Sequence, residues 1–203
     1  MKKIIGFLLT ILILVGLYAI YQDFFVSVDQ HLIEKTNKNY GAEIERICQK
    51  LKLPAAYFKA LIVLECSGDK PAKSRYEKHV FYKLLAVKNG ELKSYGKITQ
   101  KHLRLLSDAT IKKLATSWGP MQIMGYHCIN MGYTIEDLSG EEALRYGILW
   151  CEYTYGEYLR NGDFKNAFHI HNTGKPFPKL SFSQTYNPEY VRKGLAYMQK
   201  FEQ

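Results

Sequence analysis

The sequence predicts a mainly α-helical domain with one small β-hairpin, preceded by a membrane-targeting helix. Apolar residues recur at helical spacing along most of the chain, helix-capping residues stand between these runs, and the amino terminus is a long apolar stretch. A hairpin is predicted only at 87–92, where Val-Lys-Asn-Gly-Glu-Leu contains an Asn-Gly turn. The roughly 180 residues that follow the apolar stretch suit a single domain with its own core.

The amino-terminal stretch predicts export. Residues 4–20 are uncharged and almost wholly apolar, and they follow Lys2 and Lys3. The stretch is slightly short of the ~20 residues that span a bilayer as a helix, yet longer than most signal-peptide cores. Lysines on the cytoplasmic side predict an exported remainder, periplasmic or on the extracytoplasmic face of the cytoplasmic membrane. We predict three parts: 1–22 is a transmembrane anchor, favoured over a signal peptide, 23–40 is a short stalk or first helix, and 41–203 is the folded domain.

The chain is basic, with 28 Lys and Arg against 19 Asp and Glu and a formal charge of +9. Such a surface favours anionic partners, although ordinary solubilising charge is an equally good interpretation. An exported chain meets wall polymers and anionic lipid head groups. The sequence has no recognition motif in which basic and aromatic residues interleave, and we therefore predict no nucleic-acid partner.

One predicted helix places a glutamate at the end of an apolar face. Pro54 suits its first turn, and the residues that recur at helical spacing are Tyr57, Phe58, Leu61 and Ile62. Glu65 continues this face as the helix ends near Ser67 and Gly68. Apolar surroundings should raise the pKa of the carboxyl group, as a general acid requires. A glutamate that turns to solvent at a frayed helix end is the alternative.

Capping residues predict the later helices. Asp108 caps a helix, Gly119-Pro120 ends it and starts a second short one, and Ser139 with Glu142 forms a capping box for a long helix that ends at Asn161-Gly162. Asp163 caps the next helix, and Asn187-Pro188 opens the last one, whose inward residues are Val191, Leu195 and Met198.

Cysteine and histidine spacing gives no metal site. An oxidising compartment would permit disulfides among Cys48, Cys66, Cys128 and Cys151, and four cysteines allow three pairings. No Cys-x-x-Cys pair occurs, and the histidines near residues 127 and 170 complete no tetrahedral ligand set. We predict neither a metal nor another cofactor.

Several segments together resemble the signature of lysozyme-like enzymes that cleave glycan strands, the lytic transglycosylases and bacterial N-acetylmuramidases. Leu64-Glu65-Cys66-Ser67-Gly68 and Ser117-Trp118-Gly119-Pro120-Met121-Gln122-Ile123-Met124-Gly125 resemble the two core elements. Arg75-Tyr76-Glu77-Lys78-His79-Val80-Phe81 resembles an N-acetylmuramidase element, whereas His171-Asn172-Thr173-Gly174 and Tyr190-Val191-Arg192-Lys193 are similar to the closing elements of lytic transglycosylases. The resemblance covers 42–201, with departures at Pro120, His171 and Thr173.

The resemblance implies a lysozyme-like fold and cleavage of the bond between N-acetylmuramic acid and N-acetylglucosamine in peptidoglycan. Glu65 would protonate the bridging oxygen and then act as base while the muramic acid 6-hydroxyl closes an anhydro ring. In the alternative, a hydrolytic muramidase, Glu77 would be the second carboxylate. The alternative for Glu77 is a structural role, in which its carboxylate forms hydrogen bonds that hold its loop. The resemblance implies substrate contacts by Ser117, Gln122, Asn172 and Tyr190, for each of which a structural hydrogen bond is the alternative.

Two other functions stay open at this point. One is a catalytically silent wall-binding protein of the same fold, which the changes at His171 and Thr173 favour and the intact Glu65 disfavours. The other is a nucleic-acid-binding protein, disfavoured by the export segment. A tethered enzyme would open the wall only within reach of its stalk, so an envelope-spanning assembly is a candidate partner.

Overall fold

The computed structural model describes residues 29–179 and 182–203, and these residues form helices joined by short strands. The helices are α1 (described over 29–36), which continues through a π-helical turn (Asn37–Gly41) into α2 (Ala42–Leu51), then α3 (Ala55–Cys66), α4 (Lys78–Asn89), α5 (Gln100–Leu103), α6 (Asp108–Leu114), α7 (His127–Met131), α8 (Ile135–Ser139), α9 (Ala143–Arg160), α10 (Phe164–Thr173) and α11 (Tyr190–Phe201). The strands are β1 (Arg75–Tyr76), β2 (Ser94–Tyr95), β3 (Ile98–Thr99), β4 (Thr116–Trp118) and β5 (Ile123–Met124). The prediction of a mainly α fold is confirmed.

The larger core lies among α2, α3, α9, α10 and α11. Helix α3 is apolar apart from Lys59 and Glu65, and it packs most extensively against α11. Its Tyr57 and Phe58 are completely buried, and the ring of Tyr57 lies 4.4 Å from that of Phe168 on α10. Burying such rings stabilises the fold by about 1.5–3 kcal/mol each. We call this part of the molecule the helical lobe.

A second core defines the small lobe, residues 78–126. Apolar side chains from α4, α5, α6 and β3 meet there, and the buried residues are Val80, Leu84, Val87, Ile98, Leu103, Ile111, Leu114 and Ala115. Two antiparallel sheets belong to this side: β1-β4-β5, with Arg75 and Met124 both opposite Ser117, and the hairpin β2-β3, with Tyr95 opposite Ile98. A cleft runs between the two lobes.

The prediction of a hairpin at 87–92 is wrong. Helix α4 runs through Asn89, and Gly90 caps it in the left-handed conformation with φ of +81°. The backbone N–H of Gly90 bonds back to the last turn of the helix, at Val87 O. An Asn-Gly pair suits this helix end as well as it suits a hairpin turn. The hairpin lies a few residues later, at 94–99, with the two-residue connection Gly96-Lys97.

The short helix predicted after Gly119-Pro120 is also wrong, because these residues connect β4 to β5. Gly119 has φ of +70°, and a Cβ there would lie 2.5 Å from the carbonyl oxygen of Leu138. The turn therefore requires glycine both for its conformation and for the close approach of α8.

Three predicted caps have mixed outcomes. Asp163 caps α10 as predicted, its carboxylate accepting from Asn166 N at 3.2 Å. Ser107, rather than Asp108, caps α6. The predicted capping box of Ser139 and Glu142 is not formed, because Thr134 and Asp137 form a capping box for α8, and α9 starts separately after it.

The amino-terminal predictions fall mostly outside the described residues. The segment 1–22 lies wholly outside them. Within the part of 23–40 that is described, residues 29–36 are helical, Ile33 and Thr36 are buried, and Asp29 accepts a hydrogen bond from Tyr197 on α11 at 2.8 Å. The segment is thus packed on the helical lobe from residue 29 onward. None of the described helices has the length and apolar character needed to cross a membrane. All four cysteines are free thiols.

Candidate active site

The cleft between the lobes has a volume of about 1110 Å³. Both lobes line it: β-strand and loop residues of the small lobe form one wall, and α9 and α10 form the other. It contains five of the six residues predicted as site residues, namely Glu65, Glu77, Ser117, Gln122 and Asn172. Tyr190 lies behind this surface, buried in the helical lobe, and reaches the cleft through Glu65.

Glu65 stands at the penultimate position of α3, where the apolar helix reaches the cleft. Its side chain is 15% exposed. Oε1 accepts a hydrogen bond from the hydroxyl of Tyr190 and lies 3.7 Å from His171 Nε2. Helices α3, α10 and α11 therefore hold the carboxyl group at the edge of the core, with one face open to the cleft.

Burial raises the pKa of Glu65 to about 7, because a carboxylate is poorly solvated among apolar groups. The hydrogen bond from Tyr190, and more weakly the charge of Arg75, lower the pKa and limit the rise. A carboxyl group with this pKa is partly protonated at neutral pH. It can donate a proton to a substrate and then act as a base, which a glutamate in water does poorly at this pH.

His171 adds no positive charge beside Glu65. Its Nδ1 accepts from the Tyr155 hydroxyl at 2.8 Å, and its Nε2–H donates to Met121 O at 3.0 Å. These bonds fix one neutral tautomer, and burial lowers the pKa of the ring to about 4. The contact with Glu65 is therefore not an ion pair at neutral pH. The departure from the usual motif at position 171 keeps a neutral polar group against the glutamate.

Glu77 meets different surroundings on the opposite side of the cleft. It precedes α4, and its backbone N–H donates to Ala115 O at 2.9 Å. Its carboxylate pairs with Arg75 Nε at 2.6 Å and lies 3.6 Å from His79 Nδ1. These bonds agree with the alternative prediction for Glu77, a structural residue that bonds its loop. The carboxylate nevertheless faces the cleft.

Ser117 and Gln122 use their polar groups within the small lobe. The Ser117 hydroxyl donates to Gln122 Oε1 at 2.7 Å, and Gln122 Nε2 donates to the carbonyl oxygens of Lys73 and Gly119, both at 2.9 Å. Gln122 adopts φ of +50°, an uncommon conformation that this bonding holds. The two side chains fasten the β4–β5 turn to the loop before β1. Substrate contact by either residue stays a prediction.

Exposed polar and aromatic groups complete the cleft. Asn172, the residue after His171 on α10, is exposed, and its side chain makes no hydrogen bond to the other described residues. Tyr153 on α9 is 65% exposed, and Tyr186, in the loop before α11, is fully exposed. Such rings can stack on sugar faces. Asn172 thus has the accessibility that its predicted substrate contact requires.

Sequence reasoning did not identify the partners that set the charge at this site. Arg75 is predicted only as part of a motif, and Tyr155 has no predicted role at the site. Arg75 pairs with Glu77, which is close in the sequence, whereas Tyr155 bonds His171, which lies on the next helix. One signal was available: Arg75 stands two residues before Glu77, the spacing at which side chains of an extended segment share a face.

Among the residues that the structure describes, no three His, Cys, Asp or Glu side chains are grouped closely enough to hold a metal ion.

Comparisons with known proteins give a structural likeness without a sequence family. No protein-family model matches the chain, and no curated protein sequence matches it. The chain is similar to the crystal structure of the Burkholderia AP3 phage endolysin, with a TM-score of 0.52, 20% sequence identity and coverage of 79% of this chain and 69% of that chain. At this identity the likeness shows a shared fold, which agrees with the lysozyme-like fold that the motifs predict.

Proposed function

We propose that this protein cleaves the β-1,4 bond between N-acetylmuramic acid and N-acetylglucosamine in peptidoglycan, with Glu65 as general acid and base. The observation that carries the proposal is the Glu65 carboxyl itself, buried at the end of α3, open to the cleft on one face and with its pKa raised to about 7. The shared fold with a phage endolysin supports the same substrate class.

The chemistry begins with proton transfer. Protonated Glu65 donates to the glycosidic oxygen as the bond to the sugar lengthens, and the positive charge that develops at the sugar is left beside a newly formed carboxylate. The Tyr190 hydroxyl stabilises this carboxylate by its hydrogen bond. The neutral ring of His171 allows Glu65 to hold its proton until the substrate is bound.

For the second step we propose a lytic transglycosylase. Glu65, now ionised, takes the proton of the muramic acid 6-hydroxyl. The oxygen of that hydroxyl attacks the anomeric carbon of the same sugar, which yields a 1,6-anhydro end. The ion pair between Glu77 and Arg75 supports this choice over hydrolysis, because an engaged carboxylate is less available to accept a proton from water. In the hydrolytic alternative, Glu77 would activate that water.

Product analysis tests both parts of the proposal. The purified full-length chain is incubated with purified peptidoglycan, and the released fragments are analysed by mass spectrometry. We expect disaccharide fragments with anhydromuramic ends, 18 Da lighter than hydrolysed ones because no water is added. Reducing-end muramic acid as the sole product would overturn the transglycosylase assignment, and no release of fragments at all would overturn the cleavage proposal.

We further propose that the protein is exported and tethered through its amino-terminal segment, so that it cleaves only strands near the membrane. The run of apolar residues at 4–20 behind Lys2 and Lys3 supports this proposal. Local wall openings of this kind would serve an envelope-spanning assembly. A reporter fused after Gln203 should be active only outside the cytoplasm. Cytoplasmic activity would contradict export, and a mature amino terminus near residue 20 would contradict the tether.

A further inference from the structure

The positive charge of the chain is concentrated in the small lobe. Residues 78–126 contain nine Lys and Arg against two Asp and Glu, a formal charge of +7 out of +9 for the whole chain. Residues 127–203 contain eight basic and nine acidic residues. One of the two lobes that border the cleft is therefore strongly basic and the other is close to neutral, and Lys97 is the basic residue of 78–126 that lines the cleft itself. Such asymmetry produces a positive potential on one side of the bound substrate.

Most of these cations have no acidic partner. Lys88 pairs with Asp108 at 2.8 Å. Among the described residues, the other eight basic side chains of the small lobe are exposed and form no ion pair: Lys78, Lys83, Lys93, Lys97, Lys101, Arg104, Lys112 and Lys113. In the helical lobe, by contrast, Arg145 and Arg160 pair with nearby glutamates. The charge of the small lobe is thus available to a ligand.

The β2–β3 hairpin brings this charge to the cleft. Its connection is the dipeptide Gly96-Lys97, and Tyr95, Gly96 and Lys97 all line the cleft. The hairpin is held by its own register and by Ile98 in the second core, so its fold does not depend on the Lys97 ammonium group. Lys93 and Lys101 flank the hairpin at intervals of four residues and are also exposed.

We propose that the small lobe, through Lys93, Lys97 and Lys101, binds carboxylates on the substituents of the glycan and so selects anionic strands over neutral ones. The inference rests on the proposed function, because it concerns the strand that the cleft receives. Peptide stems attached to muramic acid carry carboxylates to the side of the sugar chain, where Lys97 at the cleft and the exposed Lys93 and Lys101 beside it can bind them while the glycosidic bond lies at Glu65.

The test compares two strands that differ only in charge. One is soluble peptidoglycan with its peptide stems, and the other is the same material after carbodiimide-coupled amidation of its carboxyl groups. The full chain carrying Glu65→Gln, which does not consume the strands, is titrated with each. At 50 mM salt we expect binding to the native strands to be roughly five- to fifty-fold tighter, as for three exposed charge pairs. High salt should reduce this preference.

Matched variants locate the effect. In the Glu65→Gln background, the triple change Lys93→Gln, Lys97→Gln and Lys101→Gln should reduce the preference to about one. A second triple variant, Lys38→Gln, Lys50→Gln and Lys193→Gln, removes the same amount of charge elsewhere on the surface. It should keep the preference for native strands. The single change Lys97→Gln, which leaves the hairpin register intact, should lose part of the preference. Circular dichroism checks that each variant is folded.

Two results would overturn the inference: equal binding of both strands, or an equal loss of preference in the two triple variants. Failure of the proposed function gives a different result. A chain with intact Glu65 that binds the native strands preferentially but never cleaves them would contradict the cleavage proposal while supporting carboxylate binding by the small lobe. Cleavage of both strands without any difference in binding would contradict only the carboxylate binding.

Discussion

Glu65 and Glu77 line the same cleft, but their carboxyl groups have opposite surroundings. Glu65 ends an apolar helix and contacts a tyrosine hydroxyl and a neutral imidazole. Glu77 precedes a helix of the small lobe and contacts the guanidinium group of Arg75. Burial among apolar groups raises the pKa of Glu65 to about 7, because a carboxylate is poorly solvated there. The comparison teaches that burial suits Glu65 to be an acid, whereas the carboxylate of Glu77 is engaged in an ion pair.

The largest effect that would test this comparison is on catalysis. Glu65→Gln keeps the size of the side chain and a hydrogen-bond acceptor for Tyr190 but removes the transferable proton. We expect the rate of glycan release to fall by ~100- to 10,000-fold. The control is Glu157→Gln, an exposed glutamate on α9, which should retain normal activity. Near-normal release by Glu65→Gln would remove Glu65 from the mechanism.

The same substitution has an effect on stability that depends on pH. The folded-state pKa of Glu65 is about 7, against an ordinary 4.5, so its ionisation opposes folding. The wild-type chain should therefore be relatively most stable below pH 4.5 and lose stability as the pH rises through 7. The glutamine has no such titration. Relative to wild type, Glu65→Gln should gain about 3 kcal/mol in unfolding free energy between pH 4 and pH 8.

Urea unfolding at the two pH values measures this gain, and other titrating groups cancel because they are present in both chains. A stability difference that does not change with pH would mean that the Glu65 pKa is not raised, and the contrast between the two carboxylates would disappear.

A smaller effect is expected at Glu77, since its predicted chemical role applies only to hydrolysis. In a transglycosylase, Glu77→Gln loses the ion pair with Arg75, so release should fall by less than about tenfold, in step with any loss of stability. Glu91→Gln, an exposed change in the same lobe, is the control. A loss as large as that of Glu65→Gln, together with reducing-end products, would support the muramidase and contradict the one-carboxylate mechanism.

The sequence predicts the position of Glu65 at the end of an apolar helix because the signal for it is local. The apolar spacing of α3 and the Ser67-Gly68 helix end lie within a few residues of the carboxyl group, so periodicity and capping rules apply directly. The same rules failed at Gly90 and at Gly119-Pro120, where a left-handed glycine suits a helix end or a turn between strands as readily as the predicted element. Only the neighbouring elements decide between them.

The charge at the site could not be predicted because it depends on distant contacts. His171 is neutral because the packed lobe buries its ring, and its tautomer is fixed by Tyr155 and by Met121, which lies fifty positions away. Ser117 and Gln122 match a motif, but their mutual bond and the contact with Lys73 appear only after the strands pair. The concentration of basic residues in 78–126 is visible in the sequence, but only the fold shows that these residues belong to one lobe and that Lys97 lies at the cleft.

The last effect, of similar size, concerns the group that tunes Glu65. The Tyr190 hydroxyl donates to the carboxyl group and lowers its pKa, so Tyr190→Phe should raise that pKa further. A hydrogen bond to a charged group is worth about 1.5 kcal/mol, so release at pH 6 should fall by roughly tenfold or less, as the carboxylate left after proton transfer loses its donor. The decline in rate above pH 7 should move to higher pH, because Glu65 then keeps its proton longer.

Tyr158→Phe, a change at a partly buried tyrosine outside the cleft, controls for loss of a hydroxyl alone. An unchanged pH profile of kcat/KM in Tyr190→Phe would show that the buried surroundings alone, without the tyrosine, set the proton affinity of Glu65.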